Sequence, residues 1–147
     1  MDHLQRVKQE FTRQAGTFAT AAAITDDQLN GTLDVVSSEN AEESALQNAI
    51  ETLCDPSHAR MLAPSELLSE VEGAGFRIDT QTTWDKPREL DEWMGIINEP
   101  ERAAPLRTVV GALARAGADA GMGLSQAGGE IVFFHRWLLI AARKRRT

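Results

Sequence analysis

Apolar and polar residues follow two different periods along this chain, and these periods predict its helices and strands. Apolar residues recur every three or four positions in segments that predict helices over residues 2–18, within 17–30, and over 44–53, 65–73, 90–97 and 101–116. Short β-branched or alternating runs predict strands over residues 32–36, 76–80, 131–134 and 137–142. The polar pair His135-Arg136 divides the last two strands, and the glycine-rich stretch 117–129 predicts a loop.

This order of elements predicts one α/β or α+β domain over residues 1–147. N-terminal helices in residues 1–30 are joined directly to a section over residues 31–147. The unit over residues 65–80, a helix followed by a glycine turn and a strand, organises that section. Trp84 and Pro87 predict that the chain then leaves the strand and enters the helix over residues 90–97.

Composition limits the classes of function. The net charge is −7, with 42% hydrophobic and 25% charged residues, which is typical of a globular protein and disfavours nucleic-acid binding. The basic run 143–146 is interpreted as a solvated tail. Cys54 is the single cysteine, so no intrachain disulfide can form and a reducing compartment is favoured. No apolar run reaches the length of a membrane span, and no signal peptide is recognised, so we expect a cytoplasmic protein without membrane contact.

Few residues suggest chemistry. His58 follows a proline in a loop with Asp55 and Arg60, where it could face a cleft or simply cap a helix. His135 is interpreted as a turn or edge residue. Trp84 and Trp93 could line an apolar pocket or pack between helices. The remaining carboxylates are scattered on helical segments, and no pair of histidines has metal-ligand spacing, so no metal site is expected.

Several segments together resemble a class I S-adenosylmethionine-dependent methyltransferase, of the kind that acts on quinones and other small molecules. Residues 7–15 are similar to the N-terminal helix of that family, and residues 34–37 are similar to its fifth strand. Asp55-Pro56-Ser57-His58-Ala59-Arg60 resembles the family's Asp-Pro-Ser-His segment near the substrate. Residues 67–76, Trp84, residues 90–93 and residues 138–144 match its C-terminal section.

The segment that forms the centre of the family's domain has no counterpart in this chain. Roughly a hundred residues would be expected between Asn30 and Thr32, holding four strands, the glycine-rich loop and the acidic residue that contacts the cofactor. The fold expected here is therefore a truncated Rossmann-like methyltransferase remnant. It would have a small, mostly antiparallel sheet of about three strands packed with five to six helices. The family order would be the strand near Leu33, the last strand, and the strand near Phe76.

S-adenosylmethionine is the cofactor of the family that the chain resembles. Because the glycine-rich loop is absent, we expect no cofactor site within this chain. The strand near Leu33 would be an open edge, so we expect a homodimer formed through it and the N-terminal helix. The first functional hypothesis is a methyltransferase-derived protein that binds an apolar small molecule or transforms it without a cofactor, for instance by cyclisation or isomerisation. Its substrate-binding residues would be Asp55, His58, Arg60, Trp84, Trp93 and Arg136, with His58 as the catalytic candidate.

Two alternatives remain open at this point. The chain could be a non-catalytic subunit of a full-length methyltransferase, or a residual methyltransferase whose cofactor site forms between chains. Whether it is an enzyme stays open in all three readings.

Overall fold

The computed structural model describes residues 29–146, apart from the side chain of Ile97. In chain order its elements are β1 (Leu29–Val36), α1 (Ala41–Cys54), α2 (Pro64–Gly73), β2 (Phe76–Glu89), α3 (Leu90–Ile97), α4 (Pro100–Arg115), β3 (Ser125–Ala127) and β4 (Glu130–Lys144). The four helices predicted within this part of the chain are all present. The two predicted before residue 31 lie outside the described residues.

The sheet is organised around its last strand, β4. Both β1 and β2 pair with β4 in antiparallel register, which gives the order β1-β4-β2 that the family resemblance implied. The short strand β3 forms a hairpin with β4, so the described sheet has four strands rather than about three. Gly128 and Gly129 form its turn at φ of 58° and 87°, a conformation that favours glycine at both positions.

The two faces of β4 are covered at opposite ends, which produces two separate cores. Phe133 lies in one core with buried residues from α1, α3 and α4: Ile50, Cys54, Leu90, Trp93, Met94, Leu106 and Val110. Leu138 and Ile140 lie on the opposite face in a second core with Val36, against Leu67, Leu68 and Val71 of α2. Leu138 is fully buried, as expected for the centre of a sheet.

Local chemistry explains where the helices begin. The Asn40 side chain accepts hydrogen bonds from the backbone N–H groups of Glu42 and Glu43, so α1 begins three residues before the predicted start at Ser44. Pro64 occupies the first turn of α2, as predicted, where its missing N–H costs little.

Three predictions about the strands are corrected by the structure. β2 does not end near Thr80, because it continues through Trp84 and Pro87 to Glu89 as the partner of β4. β4 is continuous across His135-Arg136, so His135 lies within the central strand and not at a turn or edge. Part of the predicted loop 117–129 is the strand β3.

Within the described residues, no helix is both long and apolar enough to cross a membrane. The same residues contain no group of three or more His, Cys, Asp or Glu side chains arranged to hold a metal ion.

Candidate functional site

A buried polar cluster joins helix α1 to the sheet at His135. His135 Nε2 lies 2.8 Å from Glu51 Oε1, and Arg88 donates from Nε to His135 Nδ1 at 3.3 Å. The side chains of all three residues are largely buried. The rings of Trp93 and Phe133 contact the imidazole edge-on, with centroids 5.7 and 5.3 Å away. The cluster is therefore a hydrogen-bonded network of charged and polar side chains that is enclosed by two aromatic rings.

The partners of His135 determine its tautomer. Because a guanidinium can only donate, Nδ1 must act as an acceptor, and the ring proton is carried by Nε2 and donated to Glu51. Both ring nitrogens are therefore engaged in hydrogen bonds. His135 could exchange a proton with a ligand only if one of these bonds opened, so the geometry favours a role in holding α1 on the sheet.

A small cavity, partly open to solvent, lies beside this cluster at the end of β1. Trp93, His135 and Arg136 line it together with Met61 from the loop before α2. Its volume is about 20 Å³, which is room for about one water molecule. The cavity brings two predicted site residues, Trp93 and Arg136, to one place, but it is too small for an organic ligand.

The predicted loop around His58 is fixed by a residue that the sequence analysis did not select, Asn48 on α1. Its side-chain oxygen accepts from His58 Nε2 at 3.0 Å and from the Met61 backbone N–H at 2.6 Å. Its amide nitrogen donates to the backbone oxygens of Ser44 and Met61. Since Asn48 accepts at this oxygen, His58 carries its proton on Nε2. The loop is therefore held against the helix through Asn48.

Asp55 and Arg60, the other two candidates in this loop, have local partners of their own. Asp55 Oδ1 accepts from both the backbone N–H and the hydroxyl of Ser57, at 2.8 and 2.6 Å. Arg60 donates from Nη2 to the two carboxylate oxygens of Glu66 at 2.7 and 2.9 Å, and this contact lowers the pKa of Glu66. These contacts stabilise the loop and attach it to the first turn of α2.

The candidates Trp84 and Arg136 lie on opposite faces of the sheet. Trp84 stacks on Trp137 directly across the ladder, with centroids 6.4 Å apart. Arg136, the next residue of β4, points to the other face because side chains alternate along a strand. It donates from Nε and Nη2 to Asp85 at 2.8 and 3.0 Å. The six predicted site residues therefore do not converge on one pocket.

An open groove lies on the Arg136 side of the sheet. Its apolar lining includes Pro87, Val132 and Phe134. Its polar lining consists of four charged residues: Asp85, Arg88, Glu89 and Glu92. The groove has a volume of about 480 Å³. Arg136 borders it, since the guanidinium lies 5.3 Å from the centroid of the Phe134 ring and is paired with Asp85. This groove is large enough to accept a small organic molecule.

Three residues that organise these sites were not among the candidates predicted from the sequence: Glu51, Arg88 and Asn48. Glu51 carried no signal, because a single carboxylate on an amphipathic helix normally faces solvent. Arg88 carried no signal, since residues 84–89 were not predicted as a strand.

Comparison with known proteins supports the fold. No protein-family profile matches the sequence, and no characterised protein matches it significantly. Among solved structures, a proposed methyltransferase from Bacillus halodurans is similar, with a TM-score of 0.71 and 22% sequence identity over 80% of this chain and 56% of that one. The YcgJ protein from Bacillus subtilis has a TM-score of 0.68 and 21% identity over 84% of this chain and 53% of its own.

These comparisons confirm the resemblance to a methyltransferase at the level of the fold. At this sequence identity they establish the fold alone. The chain spans little more than half the length of either structure.

Proposed function

We propose that this chain is a methyltransferase-derived protein that binds an apolar small molecule without a cofactor site of its own. The observation that carries this proposal is the open groove bounded by Phe134 and Asp85. Its volume of about 480 Å³ falls within the roughly 300–1,000 Å³ of ordinary ligand pockets. An apolar lining with a few fixed polar groups is also what such pockets share. Phe134 would contact the ligand, while Arg136 would hold Asp85 in place.

The other predicted site residues do not line the groove, and the proposal gives them indirect roles. Trp93 packs behind the groove, on the other side of β4. The loop that carries Asp55, His58 and Arg60 lies at the end of β1 and would shape the approach from that side. A cofactor-free cyclisation or isomerisation stays a proposal for His58, whose Nε2 is held by Asn48 Oδ1 at 3.0 Å.

The residues at the end of β1 do not fit S-adenosylmethionine. A nucleotide-type cofactor is held by free backbone N–H groups at a helix start, next to a glycine-rich turn. Here the chain passes from β1 into α1 through the four residues 37–40, which contain no glycine. The backbone N–H groups of Glu42 and Glu43, in the first turn of α1, donate to the Asn40 side chain and are not available to a ligand. The first turn of α1 is also acidic.

Ligand-observed NMR with menadione, an apolar quinone, tests the groove. We expect saturation transfer to menadione in the parent chain and its loss in Phe134→Ala, because the substitution removes the aromatic part of the groove. Leu139→Ala is the matched control, since Leu139 is a partly exposed apolar residue on the opposite face of β4. Saturation transfer that survives Phe134→Ala, or that Leu139→Ala abolishes equally, would contradict the proposal. Calorimetric titration with S-adenosylmethionine should show no heat, and a measurable heat would favour a cofactor site formed between chains.

A second candidate function, assembly with another polypeptide, is favoured by the outer edge of β1. Among the described residues, no strand pairs with that edge. The outer strand on the other side, β2, carries Lys86 and Pro87, which discourage edge-to-edge pairing, whereas Asp34 is the only charged residue of β1. β1 could therefore pair with β1 of a second copy, or with a full-length methyltransferase.

Sedimentation equilibrium separates these possibilities. A homodimer at micromolar concentration would support pairing between copies of this chain. A stable monomer would contradict the homodimer, and co-purification of a methyltransferase from the native host would then identify the chain as a subunit.

A further inference from the structure

One face of the sheet carries an apolar surface that no described helix covers. This surface, the open face, consists of Leu29 and Leu33 on β1, Leu139 on β4 and Trp84 on β2. Their exposures are 52%, 52%, 41% and 42%, respectively. Leu33 pairs with Leu139 across the ladder, and Trp84 stacks on Trp137, which lies two positions before Leu139 on the same face of β4; Leu29 lies at the start of β1, opposite Arg143.

The open face is the continuation of a face that is covered elsewhere. Phe133 and His135 lie on this side of β4 and are packed under α1, α3 and α4. Residue 137 and those beyond it on the same side extend past these helices. The indole Nε1 of Trp137 is buried there and has no hydrogen-bond partner within the described chain. A contiguous apolar surface of this kind normally marks a contact with another segment.

We propose that residues 1–28 of the same chain dock on the open face. The sequence predicts an amphipathic helix over residues 2–18 whose apolar side carries Leu4, Val7, Phe11 and Phe18. This helix would be about 25 Å long, at about 1.5 Å per residue. β1 has eight residues and extends about 27 Å. The helix therefore matches the face in length as well as in polarity.

The position of this segment in the chain favours it over a second copy. Residue 28 immediately precedes Leu29, which lies at one end of the open face. The ten residues from 19 to 28 can reach about 33 Å when extended and about 15 Å if they form the helix predicted within 17–30, and either length lets the chain reverse direction so that the helix over 2–18 lies antiparallel to β1. A tether of this length gives an effective concentration in the millimolar range. Docking within one chain would therefore outcompete association at micromolar protein concentration. The proposal does not depend on the groove on the opposite face.

Paramagnetic relaxation enhancement tests the proposal in the full chain. A spin label on Gln14→Cys would lie close to the predicted apolar stripe. The native Cys54 is buried, and burial raises the pKa of its thiol to about 12, so it should not take up the label. We expect loss of the amide signals of Leu33 and Leu139, whereas amides of α2 on the opposite face should keep theirs.

Two controls make the result decisive. Adding Phe11→Asp to the labelled chain should restore the signals of the open face, whereas Gln9→Asp on the polar side of the predicted helix should not. In a mixture of isotope-labelled chains without spin label and spin-labelled chains without isotope, the signals should remain. Their loss in the mixture would identify a second copy as the occupant and overturn the proposal. The proposal would also be overturned if the amide signals of Leu33 and Leu139 persisted in the isotope-labelled chain that carries the spin label at position 14.

Discussion

Replacing Glu51 tests whether the buried polar cluster holds helix α1 on the sheet. The Glu51 side chain is 18% exposed and accepts from His135 Nε2. The other ring nitrogen of His135, Nδ1, accepts from Arg88 Nε. Glu51→Ala would leave the imidazole N–H without its acceptor in a largely buried environment. It would also remove the carboxylate that lies across His135 from the guanidinium.

The expected cost follows from these contacts. A hydrogen bond to a charged group contributes about 1.5–3 kcal/mol, and losing one member of a fully buried ion pair costs about 3–5 kcal/mol. Because Glu51 is not fully buried and His135 separates it from Arg88, we expect Glu51→Ala to lower the free energy of unfolding by about 2–3 kcal/mol. Glu51→Gln should cost less, because its side-chain oxygen still accepts from His135.

Glu92→Ala is the matched control, since Glu92 also faces Arg88. Its carboxylate lies 3.7 Å from Arg88 Nη1, but its side chain is 62% exposed, so the loss should be about 0.3–0.5 kcal/mol. Urea unfolding followed by tryptophan fluorescence should show a midpoint shift of about 1–2 M for Glu51→Ala. If Glu51→Ala and Glu92→Ala shift the midpoint equally, the cluster does not stabilise the docking of α1.

Three further predictions concern backbone, thiol and charge. Gly123→Ala should destabilise the protein by at least about 2 kcal/mol more than Gly117→Ala, as measured by urea unfolding. Both glycines have a positive φ, but a Cβ at position 123 would lie 2.8 Å from the Phe134 ring, whereas the space at position 117 is open. At pH 8, Cys54 should react with a thiol reagent roughly a thousandfold more slowly in the folded chain than in urea, because burial raises the pKa of its thiol to about 12; equal rates would show that the thiol is accessible. The hydrogen bond from Arg136 lowers the pKa of Asp85, so this pair stabilises the protein above the unfolded pKa of about 4 and loses that effect as the pH falls further. Asp85→Asn should therefore cost less than about 1 kcal/mol at pH 7, since the pair is about 40% exposed, and nothing at pH 2; a cost that persists at pH 2 would contradict this sign.

The sheet order was predictable, but the lengths of its strands were not. The resemblance on residues 34–37 and 138–144 predicted the neighbours of the last strand, and the period of two identified its apolar pieces. The break predicted at His135 failed because a polar side chain in an apolar run normally marks a turn. Here the histidine is satisfied by Arg88, 47 residues away, and Glu51, 84 residues away. No local pattern reports partners at such distances.

The candidate site was predictable only residue by residue. Trp93 was predicted to line an apolar pocket or to pack between helices, and the structure places its side chain in the core with Phe133. Trp84 and Arg136 were grouped in one pocket, but their register on adjacent positions of the β2–β4 ladder puts them on opposite faces. That register depends on how far β2 extends, and β2 was predicted to end near Thr80. The groove beside Phe134 could not be predicted for the same reason.

The central position of β4 also constrains how the chain can fold during synthesis. β1 and β2 each pair with β4, yet β4 follows both of them in the sequence. While the ribosome is still adding residues before Glu130, neither strand has its partner, and the apolar side chains of β1 stay unprotected. Such non-local pairing slows folding and exposes the nascent chain to aggregation. We therefore expect chains stalled before β4 to depend strongly on chaperones, whereas release of the strand should trigger assembly of the sheet in one cooperative step.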